Sequence, residues 1–181
     1  MKYRAMLVAM GFSASVASAV DFDFEAVPAG PVVGDILMLS SQGVNVTFSA
    51  LGLQVRDFGA SFGNTGHVLS SEFDSGPITV TFDQAVLSVS FENVINGRYS
   101  GEIDFIDAWA YDAANNLVDS VSASAADFIT LSGSGIVKVV WQEAISGEGF
   151  VVDNVSFTIP TPAATALLGF GALVATRRRR A

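Results

Sequence analysis

The chain has 181 residues, half of them hydrophobic, with 18 acidic against 9 basic side chains and a formal net charge of −9. That length supports one domain with a real core. There is no cysteine, which excludes disulfides, thiol chemistry and a lipid anchor built on a thiol.

The N-terminus carries Lys2 and Arg4, an apolar run from Ala5 to Val16, and then Ala17-Ser18-Ala19. A basic start, a short greasy stretch and a small-x-small exit describe a secretory signal peptide cleaved after Ala19 by signal peptidase. Val20 then becomes the first residue. The alternative is a permanent N-terminal anchor, but the run is short for a span of about 20 apolar residues. The chain accordingly divides into a signal (1–19), a body (20–158) and a C-terminal tail (159–181).

Separating the ends changes the charge balance. All 18 acidic residues lie between Asp21 and Asp153, where the basic residues are Arg56, Arg98 and Lys138, so the body carries −15. Such a surface repels nucleic acid and anionic lipid. Divalent cations, neutral glycans and proteins are better company for it.

Along the body, 28–41 with its "VGDILMLSSQG" reads either as a short helical turn or as a loop crossing the domain, and the loop is favoured. Short runs of β-branched and aromatic residues with a period of two follow. Val44, Val46 and Phe48 share one face of "GVNVTF", and Ile78, Val80 and Phe82 share one of "PITVTF". Leu87, Val89 and Phe91 do so in "VLSVSF", as do Val137, Val139 and Trp141 in "GIVKVVW". In "FVVDNVSF" the same phase holds Val151, Asp153, Val155 and Phe157.

Gly, Asn, Asp and Ser clusters punctuate these runs, among them "DAANN" and "SGSG". "YDAANNLVDSVSAS" reads as a hairpin turning over Asp112–Asn116. Many short strands with such turns between them predict an all-β, antiparallel sandwich. Helices are expected only at the two ends, as the signal and the apolar tail.

The tail consists of Pro160-Thr161-Pro162, an apolar segment Ala163–Thr176, and Arg177, Arg178, Arg179 and Arg180. As a helix the apolar segment is about 21 Å long, shorter than a hydrocarbon core of about 30 Å. Terminal arginines snorkel and hold the end on the cytoplasmic side. The expectation is transient membrane insertion; the alternative is a plain C-terminal anchor. The tail resembles the PEP-CTERM sorting signal of Gram-negative bacteria, with threonine where that signal usually has glutamate. The resemblance implies processing by an exosortase-like membrane transpeptidase and residence at the cell envelope, outer surface or extracellular matrix after passage through the inner membrane.

The body opens with "DFDFE" and closes with "GFVVDNVSF", ends similar to those of jelly-roll domains of the MAM and carbohydrate-binding-module kind. In a jelly roll the first and last strands are neighbours, which would bring Asp153 near Glu25 or Asp23. A buried carboxylate needs hydrogen bonds, a cation or a proton. Glu25 and Asp153, with Asn154 as helper, are therefore candidates for a structural Ca²⁺ site of hard oxygen ligands. The alternative for Asp153 is bonding to backbone amides of a neighbouring loop.

Asp107, Trp109 and Tyr111 alternate on one strand. A core strand with one polar interruption is the favoured reading; an aromatic platform for a sugar ring, with the carboxylate accepting from hydroxyls, is the other. Arg98 and Tyr99 sit in a polar loop. Catalysis has little support. His67 is the single histidine, and there is no G-x-S-x-G or phosphate-binding loop. Glu102 and Asp104 are a pair expected by chance in so acidic a chain. The expected function is a non-catalytic structural or adhesive protein of the extracellular matrix. The alternatives are a carbohydrate-binding module contacting extracellular polysaccharide and, behind it, a glycoside hydrolase.

Overall fold

The computed structural model describes residues 18–57, 66–71, 77–93, 105–124, 128–143 and 151–160. Ala17, Arg98, Tyr99, Glu102, Asp104, Thr161, Pro162 and Arg177–Arg180 lie outside these residues, as do nearly all of the signal and the apolar tail. Among the described residues no helix is long and apolar enough to cross a membrane.

Antiparallel strands make up most of the described chain. They are β1 (Ser18–Phe22), β2 (Gly30–Pro31), β3 (Ile36–Ser41), β4 (Val44–Ser49), β5 (Gln54–Asp57) and β6 (His67–Ser70). After them come β7 (Ile78–Asn93), β8 (Phe105–Tyr111), β9 (Leu117–Ser124), β10 (Phe128–Glu143) and β11 (Val151–Ile159). A three-residue 3-10 turn, Val33–Asp35, is the helical piece among them.

The two 16-residue strands β7 and β10 form the spine. The first half of β7 and the second half of β10 pair with each other and continue into β4–β3 and β8–β9. The second half of β7 pairs with the first half of β10 and with β11, which carries β6–β5–β2 and β1 on its other side. Two sheet regions result, and their inner faces meet. Phe91 of one lies 4.5 Å from Trp141 of the other. Phe48 meets Phe24 at 5.5 Å, and Phe82 meets Phe157 at 5.1 Å.

The spine crosses between regions by breaking register near Ser132, Ile136 and Lys138. "SGSG" is therefore an irregularity inside β10 and does not end a strand, as its composition had suggested. A one-residue irregularity reverses which side chains face inward. Ile78, Val80, Phe82 and Val86 are buried early in β7, then Val89 and Phe91 later. Leu87 is half-buried, and Val86 takes the inward place expected of it. In β10 likewise, Ile136 is buried and Val137 half-buried.

At this irregularity Gly133 allows a close approach, because a Cβ there would stand 2.2 Å from Val118 Cγ1. Gly133→Ala should cost about 1–3 kcal/mol by overpacking, measured by urea unfolding. Most of that loss should return in the Gly133→Ala, Val118→Ala double variant. An unchanged midpoint in the single variant would show that the contact is not required.

The loop expected over 28–41 is in part a strand. β3 pairs with β4 from Ile36↔Ser49 to Ser41↔Val44. Gln42 (φ 51°) and Gly43 (φ 80°) form the two-residue connection, whose left-handed pair matches the twist of a hairpin. Leu37 and Leu39 pack on the core while Ile36 and Met38 are exposed.

The Asp112–Asn116 turn forms where the sequence places it. Asp112 Oδ1 accepts from the Ala114 and Asn116 amides at 2.9 and 2.8 Å, and Oδ2 accepts from the Asn116 side chain at 2.9 Å. Asn115 takes the left-handed conformation (φ 62°) that Asn tolerates. The Asn116 side-chain bond first, and then its backbone bond, hold the Asp112 carboxyl below the ordinary value of 3.8.

The folded form therefore binds that proton more weakly than the unfolded chain does. The stabilisation is complete above 3.8 and is lost as pH falls through the depressed value. Asp112→Asn should melt lower than the parent at neutral pH, and the gap should close as pH falls below 3.8. A gap independent of pH would refute the assignment.

Candidate functional site

β8 carries two alternating sets of side chains. Ile106, Ala108 and Ala110 are fully buried, whereas Asp107, Trp109 and Tyr111 are half-buried on the opposite face. The core reading of Trp109 and Tyr111 is thus overturned. The cause lies on the neighbouring strand: Trp141 of β10 stands directly opposite Ala108. Its indole, with Phe91 and Phe48 around it, fills the inner space that small alanines leave. A large–small pairing packs one face and sends the other aromatic set outward.

The register defines the surroundings of this outer face. Trp109 lies between Ser120 of β9 and Val140 of β10, and Asp107 between Ser122 and Gln142. Tyr111 lies between Leu117 and Lys138. Further across, Val140 faces Thr79 of β7, which faces Ser49 of β4. The face is a sheet surface of hydroxyls, one carboxylate, one amide, one ammonium and two aromatic rings, with Val140 and Leu117 among them.

Tyr111 is pinned. The Lys138 ammonium sits 4.3 Å from its ring centre and also donates to Asn115 Oδ1 of the Asp112 turn. One ring face of Tyr111 is therefore taken by a cation, an arrangement that electrostatics favours. The hydrogen-bonded turn and the lysine together fix the end of the platform. The sequence did not single out Lys138, Gln142, Ser120 or Thr79 for this role. They come from three other strands, and pairing alone brings them onto the sheet face that carries Trp109.

The residues considered for calcium make hydrogen bonds within the chain. Between Asp153 and Ser156 the β11–β7 register shifts, and Asn154 there has φ 47°. This bulge makes Val152 the inward partner of Val155 and Phe157 in the core. Asp153 instead stands opposite Glu92 on the other face, although it is only 3% exposed. Asp153 Oδ1 accepts from the Asn154 amide at 2.7 Å, and Asn154 Nδ2 donates to Glu92 Oε2 at 2.6 Å.

Glu25 serves a different segment. Its Oε1 accepts from the His67 amide at 2.8 Å. His67 Nδ1 lies 2.7 Å from the Val27 carbonyl oxygen, which pins the Phe24–Val27 turn to β6. Among the described residues no three His, Asp or Glu side chains group as a metal-ligand set.

No family model matches the chain. No curated protein matches it either. Several solved structures share a low similarity. A DUF4465 family protein from Bacteroides caccae is 11% identical with a TM-score of 0.45, over 80% of this chain and 100% of that one. The CBM22-1 xylan-binding domain of a Paenibacillus barcinonensis protein is 11% identical with a TM-score of 0.41, over 82% and 99%. An arabinose-bound α-L-arabinofuranosidase is 11% identical with a TM-score of 0.42, over 75% of this chain and 25% of that one. Similarity of this extent assigns neither ligand nor activity.

Proposed function

We propose that the chain is an exported, non-catalytic β-sandwich of jelly-roll type that binds a neutral polysaccharide on the outer face of β8, in the cell envelope or extracellular matrix. The observation that carries the reading is the outward placement of Trp109 on a sheet surface lined by Ser120, Thr79, Gln142 and Asp107. An indole face covers the apolar C–H face of a sugar ring, and the flanking polar groups exchange hydrogen bonds with its hydroxyls. A body of −15 disfavours polyanionic glycans at long range, which points to uncharged ones. The Ala17-Ser18-Ala19 exit motif and the Pro160–Arg180 tail support export and sorting by a membrane transpeptidase. A glycan array of neutral polysaccharides tests the reading: saturable binding is expected, and flat signals throughout would leave the structural role of the domain as the better account.

A further inference from the structure

Four of the six large hydrophobic side chains exposed among the described residues stand at one hairpin. They are Val33, Ile36, Met38 and Leu51, with 96%, 52%, 69% and 68% exposure. The hairpin is β3–β4, paired in unbroken register from Ile36↔Ser49 to Ser41↔Val44. Among the described residues β3 has no strand on its other side.

Ile36-Leu37-Met38-Leu39 is a continuous apolar run, the pattern of a strand with both faces covered. Leu37 and Leu39 are only half-buried against the core. Two other rims of the fold are protected against pairing. β2 has two residues, one of them Pro31. β9 breaks register beside Tyr111, and its Asp119 carboxylate accepts from the Ser132 amide at 2.8 Å. β3 has no proline, no charge and no bulge.

The phase of its hydrogen bonds is fixed. The Ala50 amide donates to the Asp35 carbonyl at 3.3 Å, and bonded pairs recur at every second residue of an antiparallel ladder. Leu37, Leu39 and Ser41 therefore bond to β4. The N–H and C=O groups of Ile36, Met38 and Ser40 point to the open edge. Charge narrows what can meet them. From Ile36 through Val55 there is no charged side chain, the longest such stretch in a body that carries −15. A like-charged copy of the chain meets least repulsion there.

We infer that β3 pairs antiparallel with β3 of a second copy, about a two-fold axis at Met38. This register engages all three open residues: Met38 faces its counterpart, and Ile36 of each copy faces Ser40 of the other. Each of these pairs exchanges two bonds. Any other register leaves some of the open groups unmatched. On the inner side Leu37 faces Leu39 of the other copy, which completes the burial of both. The two Asp35 residues fall at opposite ends of the pair, about 20 Å apart and beyond a screening length of about 8 Å. An edge of about 20 Å is small beside a standard interface, so the dimer is weak, forming at concentrations on the order of micromolar or above. The inference does not depend on the polysaccharide reading.

The chain has no cysteine, so cysteine variants of the full chain in detergent micelles report the register. Oxidation of Met38→Cys should give a linked dimer, because bonded antiparallel pairs hold their Cα atoms about 5.5 Å apart, within disulfide reach. Ile36→Cys should give about tenfold less, since its two copies lie about 14 Å apart along the edge. The Ile36→Cys, Ser40→Cys double variant should restore the yield. Met38→Lys sets two ammonium groups opposite each other. It should melt with the parent and lower the association constant about tenfold or more by sedimentation. Equal yields at positions 36 and 38, as association through the apolar tail would produce, overturn the inference. So does an unchanged dimer fraction in Met38→Lys. A Met38→Cys chain that stays monomeric also overturns it and leaves the edge to a strand of another protein. Sugar binding enters none of these readouts, so failure of the glycan reading is seen separately.

Discussion

Trp109→Ala should reduce affinity for a bound polysaccharide by about tenfold or more while leaving the fold intact. A buried aromatic anchor at a binding face is commonly worth 2 kcal/mol or more, and 1.4 kcal/mol is a factor of ten. The stability change should be about 1 kcal/mol or less, because the side chain stands on the outer face and its strand is held by Ile106, Ala108 and Ala110 beneath. Tyr111→Ala should cost less affinity, since Lys138 already covers one face of that ring. Isothermal titration with the best array ligand, run beside urea unfolding, separates the two quantities. Retained binding in Trp109→Ala would remove the platform from the mechanism, whatever the array shows for the parent chain.

The opposite behaviour is expected 32 residues later. Trp141→Ala should destabilise the domain by about 3–5 kcal/mol, the usual cost of emptying a buried large aromatic site. Trp141 is fully buried, with ring contacts to Phe91 at 4.5 Å and Phe48 at 6.4 Å and with Ile78 and Ala108 directly opposite. The alternating partner strands on both sides leave no route for the sheet to collapse into the vacated volume.

Trp141→Phe should be much milder. Its indole N–H is buried without a hydrogen-bond partner, and an unmade bond of that kind costs about 1–3 kcal/mol. Removing the donor offsets part of the lost volume. Urea midpoints of the three proteins check this order. A Phe variant as unstable as the Ala variant would mean that shape alone governs the site. A loss below about 1 kcal/mol in Trp141→Ala would contradict its place in the core.

Much of the architecture was legible locally. The Val44–Phe48, Ile78–Phe82 and Val155–Phe157 alternations each hold as strands with the expected inward face. The Asp112–Asn116 turn forms from its own side chains. β3 was missed because an edge strand exposes half its apolar residues and so lacks a clean alternation; Gln42-Gly43 was the signal that marked it. Asp153 was placed on the wrong face because one extra residue at Asn154 reverses the phase, and a bulge leaves little trace in composition.

The two tryptophans show where sequence ends and tertiary structure begins. Alternation by itself determined that this acidic, cysteine-free body is made of antiparallel strands, and that Trp109 and Trp141 each lie in one. It could not say which faces inward, since a period of two is the same from either side of a sheet. That choice was made when β8 met β10. Ala108 opposite Trp141 leaves room for one indole in the core, and the strand that supplies the alanine turns its own tryptophan to the outside.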